Sequence, residues 1–435
     1  MELPIKSHRR GWWTLSPLLV FFLLYVVTSV AAGDFYKMPV TVAFGAASVW
    51  AFVVCKPANL NRRIERFSQG AAHHNILLMV WIFILAGAFA GAAKYIGSVT
   101  ATVNLTLSIL PSNMLLAGLF LASCLISLSI GTSVGTIVAL MPVAVGLATN
   151  SGLELSLMAG IVVGGAFFGD NLSFISDTTI AATRTQGCLM KDKFRANFWL
   201  VLPAALVVFA IYIVQGLQYD TPVVVESVQW VKVLPYLLVL GTAICGMNVM
   251  FVLLLGILAT GMLPLFYSDL NLLDWANAMG KGMTGMGELI IVTLLAGGML
   301  ELIRYNGGLQ YVIRNLTARV HTRRGAELII SLAVSLANLC TANNTVAIVT
   351  VGDISRRVAE RFGVPAKRAA SLLDTFSCVI QGIIPYGAQL LMGATLAEIA
   401  VFDIIPHLYY NYALAVVCLL VILFSKNRSS EPQKV

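Results

Sequence analysis

Charged residues are scarce in this sequence. Asp, Glu, Lys and Arg together make up 11% of the 435 residues, whereas 58% are hydrophobic and the mean hydropathy is +0.86. A soluble globular domain has about a quarter of its residues charged. The composition therefore excludes a soluble domain and predicts an all-α polytopic membrane protein.

Patterns that accompany cofactors, metals and nucleic acids are also missing. The seven cysteines have no CxxC spacing and mostly fall in apolar runs, so neither a resident metal site nor a disulfide framework is indicated. There is no HExxH helix and no phosphate-binding loop. The net charge of +8 comes from basic residues in short loops, which report membrane orientation. We therefore predict no cofactor, no nucleic-acid partner and no enzymatic activity.

The apolar runs and the basic loops between them predict a topology. Loops rich in Lys and Arg stay in the cytoplasm, which places both termini there in a multi-pass protein of the inner (cytoplasmic) membrane. We predict about ten transmembrane helices surrounded by lipid. The predicted spans are 12–32, 39–55, 75–96, 153–183, 196–216, 230–247, 249–267, 283–303, 369–397 and 403–424.

Two further apolar stretches are predicted to be re-entrant hairpins. Each has two arms shorter than the roughly 20 residues that span a bilayer. The first, at 113–150, turns at the polar residues 131–136 and opens to the outside. The second, at 326–355, turns at 340–345 and opens to the cytoplasm. Non-helical backbone at membrane depth is tolerated where it lines a cavity or is buried in protein.

The two halves of the chain therefore have one plan in opposite orientations. In each half a hairpin is followed by a span that polar residues interrupt, 153–183 in the first and 369–397 in the second. Such inverted-topology repeats are typical of secondary transporters, whose binding site lies near the midplane. The predicted organisation is a first repeat at 1–216, an external linker at 217–229, a second inverted repeat at 230–425 and a cytoplasmic tail at 426–435.

Two carboxylates, Asp170 and Asp177, interrupt the first broken span. A charged side chain at the bilayer centre costs about 2.5 to 3.5 kcal/mol on the insertion scale, so it indicates function. One interpretation is that both cap broken helix ends. We favour a site where a small cation and protons compete for the two carboxylates, which would be the ligands of that cation, because hard oxygen ligands accompany them. These are Ser173, Ser176 and Thr178.

The hairpin turns and the second broken span supply the other predicted ligands. Two symmetric turns should meet the two broken spans at one point, although the turn residues could be mere turn formers. Setting Asp374 on Asp170 puts Ser377 on Ser173 and Gln381 on Asp177, so Asp374 is expected to stand alone in its half. The predicted ligands are Thr132, Ser133, Asn343, Asn344, Asp374, Ser377 and Gln381.

Two charged residues are accessory candidates. Glu288 lies inside an apolar span, where it is either a second proton site or a residue that reaches the outer interface. Arg184 follows the central motif and either neutralises Asp177 or anchors the span on the cytoplasmic side.

The motifs GTSVGT at 131–136 and GDNLSFISDTT at 169–179 resemble the NhaC family of sodium/proton antiporters, within the wider ion-transporter superfamily. The resemblance implies two inverted repeats, an elevator-like transport domain and a homodimer. It also implies exchange of cytoplasmic sodium, or lithium, for external protons. Some members of the superfamily exchange organic anions, so a proton- or sodium-coupled exchanger of small carboxylates such as malate or lactate is the alternative.

The chain departs from the family pattern beside the first carboxylate. A basic residue commonly follows the Gly-Asp pair and a proline follows the first serine, whereas this chain has Asn171 and Phe174. The histidine-bearing stretch often found after the motif is replaced by 189–193. The resemblance to the family is therefore weakest as a guide to which ion this protein binds.

The predicted topology has a direct test. In a cysteine-free background, a single cysteine at Ser151 should react with an impermeant reagent from outside, and one at Arg357 from the cytoplasmic side. Labelling of both positions from one side would contradict the inverted repeats.

Overall fold

The computed structural model describes residues 11–28, 38–55, 59–109, 111–173, 176–218, 227–245, 247–267, 270–308 and 322–424. The helices of the first half are α1 Ser16–Phe22, α2 Val40–Val54, α3 Leu60–Ala71, α4 His74–Tyr95, α5 Ser98–Ile109, α6 Leu115–Ile130, α7 Ser133–Ser151, α8 Leu155–Leu172, α9 Asp177–Gln186 and α10 Met190–Gly216. Those of the second half are α11 Trp230–Ile244, α12 Val249–Met262, α13 Leu272–Gly285, α14 Gly287–Tyr305, α15 Arg323–Thr341, α16 Asn344–Arg361, α17 Ala366–Ile383, α18 Ala388–Ala397, α19 Val401–Ile404 and α20 Tyr409–Phe424.

The described helices confirm the all-α membrane class. Seven helical segments are long and apolar enough to cross a membrane, and an eighth results if the bent pair at 401–424 counts as one span. Two of the seven are the hairpin arms α7 and α15 with 19 residues each, so the prediction that every hairpin arm is too short to span was wrong for these two. The exact number of crossings stays a prediction. Most of the predicted linker 217–229 and the whole tail 426–435 lie outside the described residues.

Three helices lie where the sequence analysis expected no separate helix. Helix α3 forms in a basic segment because Leu60, Ile64 and Phe67 recur at helical spacing, and the side chain of Asn59 caps its start. Helix α5 has 12 residues and α13 has 14, both too short to span a bilayer upright.

The two hairpins turn with the same backbone geometry. Between α6 and α7, Gly131 is left-handed with φ 75° and Thr132 is extended. Between α15 and α16, Ala342 is left-handed with φ 47° and Asn343 is extended. A left-handed residue ends a helix by satisfying its last carbonyl groups. Both helix pairs thus reverse within two residues.

The broken spans also match each other in detail. Helix α8 stops at Leu172 and α9 resumes at Asp177, while α17 stops at Ile383 and α18 resumes at Ala388. The four bounds of the second pair each lie 211 residues after those of the first: Leu155 and Ala366, Leu172 and Ile383, Asp177 and Ala388, Gln186 and Ala397.

This spacing corrects the alignment of the two halves. At 211 residues Asp170 corresponds to Gln381 and Ser133 to Asn344, whereas Asp374 corresponds to Val163. The alignment of Asp374 with Asp170 was therefore wrong by seven residues. Seven residues are about two helical turns, so polar side chains on one helix face coincide again after such a slip.

The helices form two packed groups. One joins α2, α3 and α4 to α12, α13 and α14, where α4 packs on α13 and α3 packs on α14. The other contains both hairpins and both broken spans, with α9 against α16 and α18 against α7. Helices α10 and α20 pack on each other and on the broken spans of this second group.

Glycines let α4 and α13 approach at backbone distance. A Cβ atom added at Gly282 would lie 2.0 Å from the carbonyl oxygen of Gly87, and one at Gly87 would lie 2.3 Å from that of Gly282. Small residues at helix contacts permit such close packing inside membranes.

We expect Gly282→Ala to destabilise the protein by about 1 to 3 kcal/mol, since the added methyl group cannot be accommodated without a backbone shift. Gly280→Ala is the matched control, because it lies on the same helix with nothing within 4 Å of an added Cβ. Thermal unfolding in detergent should separate the two variants. Equal melting temperatures would contradict the close contact.

Candidate functional site

Asp170 lies in the last turn of α8 and points at the start of α7. Its Oδ1 accepts a hydrogen bond of 2.9 Å from the backbone N–H of Ser133, and the side chain is only 4% exposed. The first N–H groups of a helix have no partner within the helix and carry partial positive charge. The turn of the first hairpin therefore holds the central carboxylate.

A chain of side-chain hydrogen bonds continues from Ser133 to the second hairpin. The Gln389 amide donates to Ser133 Oγ at 2.9 Å. Gln381 Nε2 donates to Gln389 Oε1 at 3.0 Å and to the carbonyl oxygen of Ala342 at 3.0 Å. The structure thus connects both predicted turns and both broken spans. The sequence analysis missed Gln389 because it follows the polar interruption of the second broken span. At the spacing of 211 residues, Gln389 corresponds to Thr178.

Other residues of the first motif lie around the same break. Thr178 Oγ1 is 2.8 Å from Ser176 Oγ and donates to the backbone carbonyl of Asp170 at 3.4 Å. Asp177 begins α9 and its side chain is exposed. The carboxylates of Asp177 and Asp374 are both near enough to repel that of Asp170.

A buried ion pair joins α10 to the second broken span. Lys193 Nζ lies 2.8 Å from Asp374 Oδ2, and the two side chains are 1% and 0% exposed. The ammonium also donates to Thr179 Oγ1 at 2.7 Å and to the Asn171 carbonyl at 2.9 Å. Asn197 donates to Asp374 Oδ2 at 2.7 Å. Asp374 is therefore paired with a cation from the first half of the chain, which the sequence analysis did not predict.

Lys193 was not among the predicted ligands, because basic residues between apolar runs were taken to report membrane orientation. The helical spacing of the buried residues in α10 shows that Lys193 faces the protein interior. Lys193 and Asn197 begin a stripe of buried residues on one face of α10, which continues through Leu200, Val201, Ala204, Val208 and Tyr212. A lysine at the head of an apolar stripe is oriented into the protein.

The remaining predicted ligands mostly form local bonds. Asn343 Oδ1 caps α16 by accepting from the backbone N–H of Val346, which fits the turn-forming alternative. Asn344 is buried and its amide lies 3.9 Å from Cys378 Sγ. Ser377 donates to the Asp374 carbonyl of its own helix. Ser173 is buried, and its backbone carbonyl accepts a hydrogen bond from the Thr179 hydroxyl. Thr132 occupies the N-cap position of α7, but its side chain makes no capping hydrogen bond.

The two accessory candidates lie away from this network. Glu288 is exposed in the first turn of α14, and Arg184 is exposed in the last turn of α9. In the described part of the chain, no hydrogen bond or ion pair joins either residue to Asp170 or Asp177. Their exposure favours the interfacial and anchoring interpretations.

The turn 131–135 also matches the G-x-S-x-G pattern of serine hydrolases. In those enzymes the serine sits between a strand and a helix beside a histidine. Here Ser133 begins α7 directly after α6, and its hydroxyl accepts from the Gln389 amide. The pattern therefore forms a hairpin turn in this fold.

A cavity of about 280 Å³ borders the turn of the second hairpin. Its lining includes Arg66, His73, Arg304 and Glu301, of which the last two form an ion pair, together with Thr341 and Asn343. It lies between the group that contains α3 and α14 and the hairpin formed by α15 and α16.

The sequence profile of the Na⁺/H⁺ antiporter family matches the chain in two consecutive segments, residues 4–217 and 218–426. This chain belongs to the Na⁺/H⁺ antiporter family. The resemblance inferred from the two motifs is thereby confirmed, and membership of an antiporter family identifies a transporter, not an enzyme.

The relatives of this antiporter family member are named for different transported species. The Na⁺/H⁺ antiporter NhaC of Bacillus subtilis is 25% identical and covers 78% of this chain and 82% of its own length. NhaC of Alkalihalophilus pseudofirmus is 23% identical, with coverages of 79% and 81%. The malate-2H⁺/Na⁺-lactate antiporter of Bacillus subtilis is 19% identical and covers 92% of both chains.

We expect Ser133→Ala and Asn344→Ala to weaken ion binding without a loss of maximal rate. Each change removes a neutral polar group from a hairpin turn, and a hydrogen bond of this kind is worth about 1 kcal/mol, or roughly fivefold in affinity. The apparent constant for the ion should rise accordingly. Thr149→Ala, at the exposed end of α7, is the control. Unchanged constants in both variants would leave the turn residues as turn formers only.

Proposed function

We propose that the protein is a secondary antiporter that exchanges sodium or lithium for protons across the cytoplasmic membrane. The cation and the proton compete for Asp170 and Asp177, so that one binds only after the other has left. Thr178, Ser176 and the polar groups of the hairpin turns supply neutral oxygen ligands.

The observation that carries this proposal is the position of Asp170. The carboxylate is buried, is held by the N–H of Ser133 and lies in a chain of hydrogen bonds that reaches the second hairpin. Two further carboxylates are near enough to repel it. Repulsion and burial both disfavour an uncompensated negative charge, so the site requires either a cation or a proton. That requirement is what an antiporter needs.

The two packed groups support an elevator-like mechanism in this proposal. The group of hairpins and broken spans moves as the transport domain against the group built on α4, α13, α3 and α14, whose glycine contacts make it a rigid scaffold. The constant spacing of 211 residues supports inverted repeats. A homodimer in the inner membrane, with both termini in the cytoplasm, completes the arrangement.

Exchange of small carboxylates is the second candidate. The malate and lactate antiporter covers nearly the whole chain, although its identity is low. Arg66 and Arg304 line the cavity beside the second hairpin, Arg304 paired with Glu301, and arginine side chains suit a carboxylate substrate.

Proteoliposomes that contain a pH-sensitive dye test the two candidates together. Sodium, lithium, potassium and small dicarboxylates are added in turn to the outside. The proposed function requires proton movement on addition of sodium or lithium without an organic anion. Proton movement only in the presence of a dicarboxylate would support the second candidate instead.

We expect Asp170→Asn and Asp177→Asn to abolish sodium-driven proton flux while the protein still inserts, because amidation keeps the shape and removes the proton site. Asp353→Asn, an exposed carboxylate on α16, is the control and should keep the flux. Wild-type flux in Asp177→Asn across pH 6 to 9 would show that this residue is a structural cap.

Asp374→Asn should have a different effect. It leaves the buried charge of Lys193 without a partner at a cost of about 3 to 5 kcal/mol, so it should lower the yield of folded protein.

A further inference from the structure

The ammonium group of Lys193 is surrounded in the way that a bound cation would be. Its three oxygen contacts, to Asp374 Oδ2, Thr179 Oγ1 and the Asn171 carbonyl, measure 2.7 to 2.9 Å and come from three different helical segments. A lysine ammonium has three donors, so each one has an acceptor. We name these three oxygen-bearing residues the lysine nest.

The lysine nest and the neighbouring Asn197 have more acceptor capacity than Lys193 uses. Asp374 Oδ1 and Asn197 Oδ1 are buried and have no hydrogen-bond donor among the residues that the structure describes. Carboxylate, hydroxyl and carbonyl oxygens are the ligands that hard cations prefer. The same set of atoms that holds the ammonium could therefore coordinate an alkali cation.

Asp170 differs from Asp374 in this respect. The described residues include no basic side chain paired with Asp170, which accepts from a neutral backbone N–H instead. Asp170 thus depends on a bound cation or proton for a positive partner, whereas Asp374 has the ammonium of Lys193 within the fold. A merely structural tie between α10 and α17 would not need charges, since well-packed apolar residues often serve as well or better.

We propose that Lys193 is a built-in cation that fills a second alkali-cation site in the lysine nest and so limits the number of cations that the protein binds. The proposal rests on the proposed function in one respect, the identity of the transported ion as an alkali cation. Removal of the lysine charge should open the nest to sodium, because Asp374 then lacks a positive partner inside the protein.

The test is equilibrium binding of radioactive sodium to the purified full-length protein. Lys193→Met should bind one more sodium ion per protein at saturation than the wild type. Lys193→Arg keeps the charge, and Lys193→Met combined with Asp374→Asn removes both charges, so both should bind the wild-type number. Lys191→Met, at an exposed position of the same helix, is the control.

A second variant keeps the proposal testable if Lys193→Met does not fold. Lys193→Gln retains amide donors for Thr179 and the Asn171 carbonyl. Sodium should raise its melting temperature more than it raises that of the wild type, since a ligand that binds only the folded state stabilises it. The wild-type number of bound ions in Lys193→Met, or equal sodium-induced shifts for Lys193→Gln and wild type, would overturn the proposal.

The proposed function and this inference fail in different ways. Absence of sodium-driven proton flux in wild-type proteoliposomes contradicts the proposed function. Intact wild-type flux together with an unchanged number of bound ions in the Lys193 variants contradicts the built-in cation alone.

Discussion

A helix that stops inside a membrane leaves backbone N–H and C=O groups where water is scarce, and each group needs a partner. The described residues contain four helix breaks of this kind, two hairpin turns and two interrupted spans, and polar residues satisfy backbone groups at both turns and at the first interrupted span. Gly131 and Ala342 lie in the hairpin turns, and their backbone N–H groups donate to carbonyl groups of the preceding helices. Asp170 accepts from the start of α7 and Asn343 caps α16. Lys193 donates to a carbonyl at the end of α8, where the helix dipole favours positive charge.

This constraint reconciles two interpretations of Asp170 that the sequence left open. Capping and ion binding would be alternatives if a single hydrogen bond occupied the whole side chain. An ionised carboxylate has about four acceptor positions, and the N–H of Ser133 uses one of them. The helix start therefore fixes the position of the carboxylate without preventing it from binding a cation or a proton.

The sequence predicted the helical class, both hairpin turns, both broken spans and the residues of the first motif that surround the break. It did not predict the alignment of the halves, because matching residue types favoured Asp374 over Gln381 as the partner of Asp170. Identical residue types need not occupy equivalent positions when the helix face repeats every seven residues. Lys193 was missed for a related reason, since a charge next to other charges in the chain was taken as solvated. Its position on the buried stripe of α10 carries the relevant signal.

At the spacing of 211 residues, the second half has the amide of Gln381 at the position where the first half has Asp170. A perfect repeat would place a second carboxylate at position 381, joined through Gln389 to the turn that holds Asp170. Two like charges in one buried network would repel each other. The amide at Gln381 avoids this repulsion and adds donors, which link Gln389 to the Ala342 carbonyl. In this network the first half thus supplies the buried carboxylate, and the second half supplies the neutral hydrogen bonds that connect the two hairpins.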